Sequence, residues 1–306
     1  MMPPHDKRHT AARTGPVRNA LTVDVEDYFQ VQAFADVVPR TAWETMERRV
    51  EANTDRLLAQ FARHGVRGTF FTLGWVADRH PALIRRIVAA GHELASHGYW
   101  HERVDRQTPG EFKADIVRAK GVLEDTGGVA VLGYRAPTFS VGPRTPWAFA
   151  MLADLGHRYS SSIYPVRHDL YGAPDAPRSA HYHPGTTLLE IPMTTLRIGS
   201  QNMPCSGGGY FRLLPYRLFR AALRRCNTAQ QAPGVFYTHP WEIDPAQPRI
   251  AAKRLSRFRH YNNLHLTEHR LDQLLRDFAW DRMDRVFADI LEAAASPVAV
   301  RAAARV

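Results

Sequence analysis

The sequence predicts a parallel α/β architecture, and three observations carry the prediction. Short β-rich runs alternate with helical stretches along most of the 306 residues. The residues best suited to chemistry stand at the ends of those runs, where such folds gather their sites. The apolar share is 44%, enough for a large core. No run approaches the roughly 18 apolar residues that a membrane-spanning helix needs.

Residues 20–25 (ALTVDV) read as a buried strand that runs into acidic residues. Apolar side chains at 43, 46, 50, 57 and 61 give a helical period over 43–64, with Gly65 as its stop. Residues 68–73 (GTFFTL) are rich in β-formers. Residues 81–90 open on proline and end before Gly91, as a short helix does. Residues 93–96 form a strand leading into His97. Helices follow over 109–123 and 146–155, with strands over 131–134, 159–163 and 188–191. A basic amphipathic helix over 215–226 precedes a strand over 234–238 that ends at His239. Residues 165–184 read as a long loop. So do 203–209 (MPCSGGG), whose three glycines imply unusual backbone angles or a close approach.

Composition narrows the partners. Forty Lys and Arg against thirty Asp and Glu give a formal net charge of +10. The arginines cluster modestly over 212–225 and 249–259, and the rest read as a solvated basic surface. Neither zinc-finger spacing nor an aromatic RNA-binding signature is present, so no nucleic-acid partner is expected. Cys205 and Cys226 are too few for a disulfide framework. The first nineteen residues are basic but lack the apolar segment of a secretory signal. The expectation is a cytoplasmic protein, with peripheral association at the inner membrane face left open by the basic helix.

Four segments carry chemistry. Asp24, Glu26 and Asp27 put three carboxylates into four residues, a repulsion that a cation would relieve. Asp24 and Glu26 share a strand face. A solvated acidic turn is the alternative. His97 and His101, four apart, can reach one ion if their segment turns. Position 98 is glycine where the metalloprotease helix motif has glutamate, so a base must come from elsewhere, and Asp24 is available. Arg135, before Ala136 and Pro137, can clamp a carboxylate in bidentate fashion. His239, at a strand end, suits a general acid at neutral pH, with a hydrogen-bonded core histidine as the alternative.

In this order the four segments resemble the NodB-like polysaccharide deacetylases of carbohydrate esterase family four. VDVEDYF, SHGYWH, GYRAPTFS and FYTHPWEID are similar to the branch associated with exosortase exopolysaccharide clusters, as are IPMTTLR, GGGYFRLLP, DPAQPRI and RFRHYNNL further on. The resemblance covers about residues 18–280. It implies a distorted (β/α) barrel of the NodB-homology type with a C-terminal family-specific extension. On that basis 1–17 is a disordered basic tail, 18–245 the deacetylase domain, 246–285 the extension and 286–306 a flexible or helical tail. The implied reaction removes N-acetyl groups from amino sugars of a bacterial exopolysaccharide or its precursor, with a divalent metal, zinc first among candidates. Asp24 matches the catalytic base, Arg135 the arginine that orients it and His239 the acid. His97 and His101 match the metal histidines, with Glu26 preferred over Asp27 as the third ligand. Trp100, Tyr134, Pro137, Phe139 and Trp241 are the expected walls of the substrate site, or else core.

Three departures from the family pattern matter. Val25 stands where many relatives have a second, adjacent aspartate, which leaves the third ligand to Glu26 or Asp27. Gly98 stands where many relatives have Ser or Thr, which removes a loop-stabilising hydroxyl. Ser160 stands where an aspartate is expected, so that another group, Glu242 or Asp244, must orient the acid histidine. Two further functions compete: a metal-independent hydrolase of small cyclic amides on the same scaffold, and a catalytically degenerate polysaccharide-binding protein.

Overall fold

A computed structural model describes residues 17–295. The first sixteen residues of the predicted tail over 1–17 and the last part of the C-terminal tail, 296–306, lie outside the described residues. In chain order the strands are β1 (Arg18–Val25), β2 (Thr69–Thr72), β3 (Glu93–Ser96), β4 (Gly133–Tyr134), β5 (Tyr159–Ser160), β6 (His181–Tyr182), β7 (Leu189–Glu190), β8 (Thr195–Ile198), β9 (Gln201–Pro204), β10 (Val235–Thr238) and β11 (Ala279–Asp281).

β1 is buried from Asn19 onward, as a near-continuous apolar run in a parallel sheet should be. It pairs with β10 on one side. On the other, its first half pairs with β11 and its second half with β2. From β2 the sheet continues in parallel through β3, β4, β5 and β7, with β6 antiparallel at the far edge. Among the described residues no strand pairs β7 with β10. Residues 191–206 fill that gap: the Val235 N–H donates to Thr194 Oγ1 (2.6 Å) and the Tyr237 N–H to the Ser206 carbonyl (2.7 Å). The result is a mixed α/β fold whose sheet curls into a half barrel, as expected from the sequence.

Register positions the site. Val23 lies opposite Thr238, Val25 opposite Thr72, Thr72 opposite Ser96, and Ser96 opposite Tyr134. The parallel strands therefore end together, and Asp24, His97, Arg135 and His239 emerge at one rim.

The helix Pro109–Gly127 shows how local sequence sets the frame. Thr108 and Glu111 form a capping box, Pro109 occupies its first turn, and Gly128 ends it with φ 65°. Its inner face, with Phe112, Ile116, Ala119 and Leu123, is fully buried.

Several elements differ from the sequence reading. The helix expected over 43–64 starts at Val50. Trp43 is buried instead in an edge-to-face cluster with Trp75 and Phe29. The loop expected over 165–184 contains β6, and 203–209 runs from the end of β9 into a helix, Gly208–Leu213. Gly207 has φ 126°, and a Cβ there would lie 2.0 Å from the Tyr237 carbonyl. The close approach that these glycines permit is therefore to β10. The two thiols are free, buried and 3.3 Å apart, packing the helix Tyr216–Gln230 against the turn at Cys205. After Asp281 the chain forms the helices Met283–Val286 and Ala288–Ala295. No described helix is long and apolar enough to cross a membrane.

Candidate active site

Arg135 organises the centre of the rim. Its guanidinium is completely buried and donates to Asp24 Oδ1 (2.6 Å), Thr22 Oγ1 (2.8 Å), the Ser161 carbonyl (3.1 Å) and Ser161 Oγ (3.1 Å). A buried arginine is tolerable only with such compensation. It fixes one oxygen of Asp24 and leaves Oδ2 facing the cleft, 3.9 Å from His239 Nε2. The Arg135 carbonyl lies 2.8 Å from His97 Nδ1. A protonated Nδ1 donating there presents the Nε2 lone pair outward, as metal-binding histidines are commonly held.

Glu26, His97 and His101 bring one ligand atom each to within 4.8 Å of one another. His101 Nε2 is 2.8 Å from Glu26 Oε2, yet no hydrogen bond of acceptable geometry joins that oxygen to any partner. A buried carboxylate oxygen and a ring nitrogen meeting without an aligned proton can serve as two ligands of one cation. Burial, reinforced by the His101 charge and only partly offset by Asp24 and Glu26, pushes His97 down to about 4. Burial would raise Glu26, but the imidazoles of His101, His239 and His97 outweigh it and hold the carboxyl at about 2. An ionised carboxylate beside a neutral His97 suits a divalent cation of the zinc type.

The loop carrying these histidines is held tightly. Gly98 has φ 74°, and a Cβ there would lie 2.8 Å from Asp115 Oδ2. Asp115, on the helix Pro109–Gly127, accepts the N–H groups of Tyr99 (2.8 Å) and Trp100 (3.2 Å). It thereby supplies the support that a hydroxyl at position 98 was expected to give. His101 itself sits at φ 52°, a conformation that costs a non-glycine residue roughly 1–3 kcal/mol and clusters at functional sites.

Asp27 does not join the cluster. Its carboxylate accepts the N–H groups of Tyr28 (2.9 Å), Arg49 (2.8 Å) and Val50 (3.0 Å), which caps the helix Val50–Arg63. Of the two acids the sequence left open, the structure brings Glu26 to the histidines and turns Asp27 to a neighbouring helix.

His239 faces Asp24 and Glu26 from β10. Its Nε2 lies 3.6 Å from Glu26 Oε1, and its Nδ1 lies 3.3 Å from Glu242 Oε1, an ion-pair distance without hydrogen-bond alignment. Burial opposes its charged form, but Glu242 and then Glu26 and Asp24 prevail and raise it to about 9. Asp244, the other orienting group considered, is committed to Arg49 and Asn53.

Most of the expected substrate walls are interior. Tyr134 packs edge-on against Phe112 and His157. Pro137 and Phe139 are buried in a short turn after Arg135. Trp241 is buried between the rings of His239 and His260, and its indole N–H donates to Glu26 Oε1 (3.2 Å). Trp100 is half-buried and lines, with His101, Trp43, Gln30 and Arg40, an open cavity of about 310 Å³ beside the cluster. Sequence reasoning missed Thr22, Ser161, Asp115 and Gln30, whose positions only the topology reveals.

This arrangement defines an α/β half-barrel protein with a carboxylate–imidazole cluster able to hold a cation at the carboxyl rim of its sheet. Residues 35–160 match the polysaccharide deacetylase family model, and residues 161–288 match a domain of unknown function, DUF3473. Over residues 35–160 the chain is thus similar to the polysaccharide deacetylases. It is 30% identical over 84 residues to a peptidoglycan-N-acetylglucosamine deacetylase of Bacillus cereus, a match spanning 28% of this chain and 30% of that one. It is 38% identical over 70 residues to a chitooligosaccharide deacetylase of Bradyrhizobium, spanning 23% and 32%. The chain thus spans about a third of the length of these curated relatives. Among solved structures, a Mycobacterium smegmatis protein described as a polysaccharide deacetylase has a TM-score of 0.56 at 20% identity, covering 90% of this chain and 91% of that one. An allantoinase, Puue, has a TM-score of 0.54 at 16% identity, with 88% of each chain covered. The fold is common to both.

Proposed function

We propose that this protein is a metal-dependent N-deacetylase of amino-sugar polymers, with Asp24 as base, His239 as acid and Glu26, His97 and His101 as metal ligands. The observation that carries the reading is the Glu26–His97–His101 cluster with His239 Nε2 beside it, 3.6 Å from Glu26 Oε1 and 3.9 Å from Asp24 Oδ2. A bound divalent cation supplies Lewis-acid polarisation of the acetyl carbonyl and lowers the pKa of the attacking water. Asp24 Oδ2, left clear by the Arg135 clamp, accepts that water's proton as the C–O bond forms. His239, raised to about 9 by Glu242, Glu26 and Asp24, donates from Nε2 to the amine nitrogen as the C–N bond breaks, giving free amine and acetate. Each such transfer typically contributes 10²–10⁴-fold. Trp100 and the cavity beside His101 offer an apolar face for a neighbouring sugar ring.

The substrate we infer is an N-acetylated bacterial polysaccharide or its oligosaccharide precursor, and the metal zinc. The match of residues 35–160 to the polysaccharide deacetylase model and the curated relatives support the substrate class. The exposed arginines on the helix Tyr216–Gln230 support an approach to anionic surfaces, including the inner face of a membrane.

The test is acetate release from N-acetylated glucosamine oligomers by protein stripped of metal and then reloaded with zinc. The reading predicts turnover only after reloading and none in Asp24→Asn. Metal-free hydrolysis of a cyclic ureide without acetate release, or sugar binding with no turnover, would replace it.

A further inference from the structure

The acid histidine needs a carboxylate at its Nδ1, and β5 does not provide one. Ser160, where an acid was expected, is buried with its hydroxyl bonded to Ser162 Oγ at 2.8 Å. Glu242, three residues after His239, occupies that role. Pro240 begins a tight helical turn, Pro240–Ile243, that brings the Glu242 carboxylate back beneath the imidazole.

Glu242 is wholly buried, and both its oxygens are engaged. Oε2 accepts from Thr238 Oγ1 (2.9 Å), while Oε1 faces both His239 and Arg212 Nε, each at 3.3 Å. Arg212 is itself 2% exposed. Its remaining donors reach the carbonyls of Arg259 (2.9 Å), His260 (2.8 Å) and Asn262 (2.9 Å). These carbonyls lie at the C-terminal end of the helix Arg254–Tyr261, where unsatisfied oxygens carry partial negative charge. The Arg212 backbone is fastened as well, its carbonyl accepting from Asn263 (2.9 Å) and Arg270 (2.7 Å). A second link runs from the same helix: the His260 ring stacks on Trp241, which stacks on His239. Every member of this chain of contacts falls within the segment of unknown function, 161–288.

Resting on the reading of His239 as acid, we propose that this segment supplies a positioning relay. In it Arg212, anchored on the carbonyl end of the helix Arg254–Tyr261, holds Glu242 against His239 and replaces the carboxylate that β5 lacks. Glu242 fixes the tautomer that leaves Nε2 toward the cleft. Arg212 compensates a carboxylate that would otherwise be buried without a full partner. Only a planar fork can serve a carboxylate on one side and three carbonyls on the other, so lysine is a poor substitute. The slack in the His239–Glu242 contact is of the kind that tightens when substrate binds.

Arg212→Lys and Glu242→Gln keep volume and most packing, so they are the variants to compare with wild type, all loaded with zinc. Acetate release is measured from an N-acetylated oligosaccharide, whose amine must be protonated to leave, and from para-nitrophenyl acetate, whose phenolate leaves unaided. Histidine side-chain NMR, with His239 assigned through His239→Gln, follows the imidazole directly. The relay predicts a fall in kcat on the amide of about 10²-fold with KM within about threefold, and a loss on the ester at least about tenfold smaller. It also predicts unchanged zinc content and displaced His239 ring signals in both variants. Unmoved His239 signals, equal losses on amide and ester, or zinc lost in step with turnover would overturn it. A wild type that releases no acetate from the amide refutes the proposed function instead, while the NMR comparison still decides the relay.

Discussion

At the scale of single residues, two neighbouring acids have opposite fates. Glu26 leaves β1 toward the histidines, while Asp27 turns to cap a helix 22 residues downstream. Asp27→Ala should therefore cost about 1–2 kcal/mol of stability, the usual worth of a cap, and leave bound zinc unchanged. Denaturant unfolding and metal analysis on one preparation check both halves, and loss of zinc would return Asp27 to the ligand set. The same scale shows what the sequence made legible. Asp24, His97, Arg135 and His239 were singled out from residue type and position at strand ends, and His101 from its spacing to His97; parallel register brings these segments to one rim. Of the residues left open between substrate wall and core, three aromatics are interior. Tyr134, Phe139 and Trp241 look alike in sequence whether they line a cleft or fill the interior, because burial is decided by neighbours distant along the chain.

Among elements, long periodic stretches were read best and short ones worst. The capped helix Pro109–Gly127 announces itself through Thr108, Glu111 and Gly128. Strands β4, β5 and β7 keep only two paired residues each, too few for a periodic signal, so their predicted lengths were excessive. The hairpin of β8 and β9 was missed although Gly199-Ser200 at its turn, with Gly199 at φ 57°, is a readable signal. The start of the first long helix was misplaced because its cap, Asp27, is not local. β3 carries a pH-sensitive link. Glu93 accepts from Tyr159 Oη (2.8 Å), Thr69 Oγ1 (2.5 Å) and the Asp284 N–H (3.2 Å), tying β2, β5 and the C-terminal helices together. Burial, and then the Asp284 charge, raise its carboxyl to about 7 from an ordinary 4.5. The folded state holds this proton more tightly than the unfolded chain. The associated stability is therefore full below about 4.5 and lost as pH rises through about 7. Urea unfolding across that window should show a falling stability in wild type that flattens in Glu93→Gln. Parallel curves for the two proteins would remove Glu93 from the account.

Across the whole molecule, the two matched segments form one sheet. β1, the first strand described, is paired to β10 and β11 from the C-terminal part of the chain. His239 comes from the segment of unknown function, while His97 and His101, the proposed metal ligands, come from the segment that matches the polysaccharide deacetylase model. A fragment spanning 17–160 would expose the β1 edge along both partners and lose the acid half of the site. It should show no cooperative unfolding transition by circular dichroism, whereas an independently folding fragment would show that the two segments are separable domains. The central claim is that Glu26, His97 and His101 hold one cation beside Asp24 and His239. Anomalous diffraction at the zinc edge from crystals of zinc-loaded protein tests it most directly. The account predicts one strong peak about 2.0–2.2 Å from a Glu26 oxygen, His97 Nε2 and a His101 ring nitrogen. A peak elsewhere, or none at these three side chains, would contradict it.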